Sequence, residues 1–115
     1  MTRPAMHVAA FTAALYAIVS FPPDVAAGTQ PAPFAAGDAA AGKVLADSDC
    51  VGCHAQRFSG KPEEMYLHPD HKVRTPEQLL AQVRRCGVQL GKGYFPEEEE
   101  HLAAYLNLQY YKFKP

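Results

Sequence analysis

The chain has 115 residues, 48% of them hydrophobic, and its eleven Lys and Arg against twelve Asp and Glu leave a formal net charge of −1. So even a balance implies no strongly basic face of the kind nucleic-acid binding demands. The length suits one small domain, which buries little more than about 60% of its unfolded surface and gains from an apolar group bound at its centre.

The first residues carry Arg3 and His7, then an apolar stretch from Val8 to Phe21, then the small-residue pattern Val25, Ala26, Ala27, Gly28. This is the layout of a secretory signal peptide, placed at residues 1–27. The apolar run has about fourteen residues, short of the ~20 of a spanning helix, so no permanent membrane anchor is expected and the mature chain is placed in the periplasm. Residues 28–37, rich in Pro, Gly and Ala, read as a flexible leader.

A domain then runs from 38 to 115. Asp38 is a good N-cap for a first helix, followed by Ala39, Ala40, Ala41, Lys43, Val44 and Leu45. Gly42 inside that helix costs close to ~1 kcal/mol against Ala, which predicts the close approach of another helix. From Ala55 to Arg74 the pattern is irregular, with a short turn at Glu63 to Leu67. Thr75, Pro76, Glu77 and Gln78 form a strong helix start, and Leu79, Val83 and Cys86 fall on one stripe behind it. Gly87 is the expected end of that helix. Pro96 and the run Glu97 to Glu100 open a last helix, where negative charge suits the dipole, with Leu102, Tyr105, Leu106 and Gln109 on one face. The end is expected to fray among Tyr110, Tyr111 and Lys112, and no segment reads as a strand. The fold class is therefore all-α, with three to four helices.

Between the first helix and the irregular stretch lie Cys50, Val51, Gly52, Cys53 and His54, the pattern C-x-x-C-H. In an exported chain this is the attachment site of a covalent c-type haem. Thiols three positions apart on one helical turn can each add to a vinyl group of one porphyrin, and the next imidazole is left to hold the iron. A thioredoxin-like redox pair would need a βαβ setting, and a structural zinc site would need a second pair of ligands. Neither is present.

The run Gly37-Asp38-Ala39-Ala40-Ala41-Gly42-Lys43-Val44-Leu45 followed by Cys50-Val51-Gly52-Cys53-His54 resembles the opening of class I c-type cytochromes, and Glu99 to Asn107 resembles their C-terminal helix. The resemblance implies a small helical domain wrapped on one covalent haem c, held by Cys50, Cys53 and His54. It also implies that the first and last helices cross at Gly42 and Tyr105.

The sixth iron ligand departs from the family, which takes it from a Met ahead of the last helix; here no Met follows Met65. The open candidates are Cys86, Met65, His68, His71 and His101. Cys86 is favoured, because it lies on the buried stripe and Arg84-Arg85-Cys86-Gly87 resembles a minor group of monohaem cytochromes with His/Cys ligation. A thiolate gains from ferric iron and from Arg84 or Arg85. Met65 is placed in a loop, His68 and His71 are read as exposed loop histidines, and His101 is expected to face solvent.

The resulting expectation is a periplasmic carrier of single electrons, of low potential because an anionic sulfur stabilises Fe(III). The competing reading is a haem protein that binds or senses a diatomic gas, NO or CO. No distal acid and base pair for peroxidase chemistry is visible, so no enzyme is expected. The expected partner is a redox protein of unspecified identity, and a tyrosine-rich end is compatible with a homo- or heterodimer.

Overall fold

The computed structural model describes residues 30–114, so the signal-peptide reading and the first residues of the leader lie outside the described residues. Five α-helices follow in order: α1 (Ala39–Asp49), α2 (Val51–Arg57), α3 (Glu64–Leu67), α4 (Pro76–Gln89) and α5 (Pro96–Leu106), which continues as a π-helical turn over Asn107–Tyr111. No strand occurs among the described residues. The all-α expectation holds, but the described residues form five helices. The C-x-x-C-H segment forms a helix of its own beyond a break at Cys50, and residues 64–67 close a full turn.

Each longer helix starts where its capping chemistry places it. The Asp38 carboxylate accepts the N–H groups of Ala40 at 2.8 Å and Ala41 at 3.3 Å. Thr75 Oγ1 accepts Gln78 N–H at 3.2 Å, while the Gln78 side chain reaches past Thr75 to accept Arg74 N–H at 2.7 Å. Glu98 Oε2, within the glutamate run, accepts Phe95 N–H at 2.8 Å and closes the start of α5.

The scaffold is the crossing of α1 and α5, the most extensive helix contact, with α4 laid against α5. At the crossing, a Cβ built on Gly42 would stand 1.9 Å from the carbonyl oxygen of His101, and one on Gly37 would stand 2.4 Å from that of Glu100. Only hydrogen fits at either point. Gly42 therefore faces the α5 backbone at His101 and Leu102, one turn before the Tyr105 position that the family resemblance implied.

Leu79, Leu80 and Val83 of α4 meet Leu102, Ala103 and Leu106 of α5 in the core, together with Ala46 of α1 and Val73. Ala32 and Phe34 join them, Phe34 at 3% exposure. The later part of the segment read as a leader is thus a packed turn, closed by Ala35 N–H to Ala32 O and Gly37 N–H to Phe34 O, each 2.9 Å. An aromatic side chain with an apolar groove to fill outweighed the Pro and Gly content around it.

α4 also differs from its expected end. It runs through Gly87 to Gln89, and Gly87 is buried within it. A Cβ there would come 2.8 Å from the Tyr94 ring, so this glycine serves packing and leaves termination to the residues after it. The C-terminal tyrosines are held, not frayed: Tyr110 stacks on Tyr66 at 4.6 Å between centroids, and Tyr111 meets Tyr66 edge-on at 6.2 Å.

Candidate cofactor cavity

A cavity of about 710 Å³ opens between α2, α3, the segment leading into α4, α4 itself and α5. That volume lies within the range of pockets that enclose a small molecule or cofactor. Leu79, Val83, Leu102 and Leu106 supply apolar wall, and Cys50, Cys53 and His54 all line it. The helical turn of α2 brings the two thiols and the imidazole of the C-x-x-C-H pattern to one cavity.

Burial, with Cys86 and Asp49 adding to it, pushes the Cys50 thiol up to about 11, so it is neutral at physiological pH. Burial, then the Arg57 cation, lowers His54 and favours the neutral imidazole, the form with a free lone pair. His54 Nδ1 is buried with no hydrogen-bond partner. Its ring meets Tyr66 edge-on at 5.2 Å. Nδ1 is covered by protein, so the other ring nitrogen, Nε2, is the one that could reach a group in the cavity.

The sixth-ligand candidates separate. Cys86 lines the cavity, half-buried on α4, and the Gln82 side-chain amide donates to its sulfur at 3.2 Å. Arg85 in turn donates to Gln82 Oε1 at 3.2 Å. Arg84 is drawn away from the sulfur, because it pairs with Glu99 at 2.7 Å and so ties α4 to α5. Met65 is on helix α3, not in a loop, and lines the cavity half-buried.

His71 is not the exposed loop histidine expected: it lines the cavity, its Nδ1 buried and unpartnered, because its ring packs edge-on against Tyr111 at 5.4 Å. His68 borders the same space but is half exposed, accepting Asp70 N–H at 3.2 Å and lying 3.8 Å from the Asp70 carboxylate. His101 is removed from the set. Partly buried, it accepts the backbone N–H of Asp38 at an exposed position and takes no part in the cavity wall.

One cluster was not found by sequence reasoning. Asp49, next to Cys50, accepts the Tyr94 hydroxyl at 2.6 Å and the Lys92 ammonium at 2.9 Å. The Tyr94 hydroxyl, followed by Lys92, holds the Asp49 carboxyl down at about 2. Burial and the carboxylate raise Tyr94 in return. The cluster clamps the loop between α4 and α5 to the end of α1, beside the first thiol. No sequence signal marks it, because its members are a generic helix-end Asp and two loop residues far along the chain.

Among the described residues, no group of three or more His, Cys, Asp and Glu side chains gathers to hold a metal ion alone. A haem iron asks less of the protein, one or two axial ligands, with the porphyrin supplying the rest. The thiols, the unpartnered imidazole and the apolar wall fit that group. No described helix is long and apolar enough to cross a membrane. The sequence matches no protein-family model, and comparison with curated proteins and with solved structures finds no match.

Proposed function

We propose that this chain is a periplasmic monohaem c-type cytochrome that carries single electrons. The observation that carries the reading is that Cys50, Cys53 and His54 line one cavity with apolar walls. Cys50 and Cys53 would hold a haem through two thioethers, His54 would be its proximal ligand, and the group would supply a one-electron iron couple.

The rest of the work belongs to the chain. Leu79, Val83, Leu102 and Leu106 would keep water from a group held in the cavity. Tyr66, packed between His54 and Tyr110, fixes the imidazole plane. Cys86 is the proposed distal ligand; its sulfur is electron-rich, accepts the Gln82 amide, and favours Fe(III), so the potential should be low. The Asp49 clamp keeps the attachment helix at a set distance from α5.

The test is expression in a host with haem-attachment machinery, followed by acid-acetone extraction and a pyridine haemochrome spectrum. Pigment that stays with the polypeptide, and is lost from a Cys50→Ala, Cys53→Ala double variant, supports the reading. Colourless protein, or pigment that extracts, ends it. Carbon monoxide added to the reduced protein then separates the carrier from a gas-binding protein: an unchanged Soret band supports electron transfer, and a shifted band supports gas binding.

A further inference from the structure

We infer that His71 is a second distal donor for the same cavity, held in reserve beside Cys86; this rests on the haem reading above. Four histidines lie among the described residues, and their hydrogen bonds divide them. His101 is engaged with the Asp38 backbone, and His68 with Asp70. The Nδ1 atoms of His54 and His71 alone are buried without a partner, and both residues line the one cavity.

The two imidazoles are linked by continuous ring contacts along the wall. His54 meets Tyr66 at 5.2 Å, Tyr66 meets Tyr111 at 6.2 Å, and Tyr111 meets His71 at 5.4 Å, each edge-on. Tyr111 is itself backed by Phe113, stacked at 5.6 Å. The His71 ring is therefore positioned by packing on an aromatic wall, with no side-chain hydrogen bond to direct it elsewhere.

The backbone around it is also secured. His71 N–H bonds to His68 O at 3.0 Å, the Arg74 guanidinium bonds to Pro69 O at 2.9 Å, and Val73 is buried in the core. Because Nδ1 is covered by protein, Nε2 is the ring nitrogen through which His71 could reach a group in the cavity. An imidazole and a soft sulfur are both iron donors. The cavity offers one of each, Cys86 from a rigid helix and His71 from the segment that precedes it.

Ferric EPR and absorption spectra of haem-loaded wild type, Cys86→Ala, His71→Ala and the double variant test this. Cys86→Ala should stay low-spin through His71, His71→Ala should keep the wild-type ferric spectrum, and the double variant should turn high-spin. Added imidazole should return the double variant to low-spin, which shows that its cavity is intact. A high-spin Cys86→Ala protein overturns the inference, as does a double variant that stays low-spin, a His71→Ala protein that turns high-spin, or failure of imidazole to bind. A wild type without covalent pigment brings down the haem reading first; covalent pigment with any of those four results brings down the role of His71 alone.

Discussion

His101 Nδ1 accepts the backbone N–H of Asp38 at 2.9 Å, across 63 positions of sequence. The residue that caps α1 is thereby tied to α5 one turn from the point where Gly42 meets the His101 carbonyl. One residue of α5 thus serves both contacts, its side chain orienting the start of α1 and its carbonyl setting the depth of the crossing.

Removing that acceptor strands the Asp38 amide. His101→Ala should lower stability by about 1–2 kcal/mol in urea unfolding followed by far-UV circular dichroism. His101→Asn places an amide oxygen near the lost nitrogen and should recover most of the loss. Equal damage from both substitutions would show that ring packing, and not the hydrogen bond, matters at this position.

Gly42 allows no such repair. A methyl group there would collide with backbone on a neighbouring helix, so Gly42→Ala should cost at least about 3 kcal/mol and leave the domain partly unfolded at ambient temperature. Gly52→Ala is the matched control. A Cβ at Gly52 meets nothing within 4 Å, and Ala is the better helix former, so thermal melting should show stability unchanged or raised by up to ~1 kcal/mol.

Leu79 is among the least exposed side chains, at 1%, and it faces both the core and the cavity. Leu79→Ala should destabilise the fold by about 2–5 kcal/mol. In haem-loaded protein the same change should widen solvent access to the cofactor, read as a shift in midpoint potential by redox titration.

The Asp49 clamp sets a pH dependence. Its carboxyl is held near 2 against an ordinary 3.8, mainly by the Tyr94 hydroxyl, so the folded state binds this proton less readily than the unfolded chain does. Its contribution is fully present above pH 3.8 and is lost as pH falls toward 2. Acid unfolding followed by circular dichroism should therefore begin at higher pH in Tyr94→Phe than in wild type. Asp49→Asn should flatten the stability profile over that interval.

Local chemistry explains what was legible beforehand. Helix starts at Asp38, Thr75 and Pro96 are written in side chains that cap their own neighbours, and the α4 stripe repeats at the helical period. The positions that were misread or passed over share another trait. Phe34, Gly87, His101, Tyr94 and Tyr111 each take their role from a partner far along the chain or from packing that no period encodes.

By itself, then, the order of residues determined the helical class, the main helix starts and the pairing of two thiols with an imidazole on one turn, because each depends on neighbours within a few positions. The folded chain alone decided which histidines are spent on structure and which are left unpartnered at a cavity. That choice depends on what each ring meets after α1, α4 and α5 pack, and a hydrogen bond across 63 residues leaves no trace in local spacing.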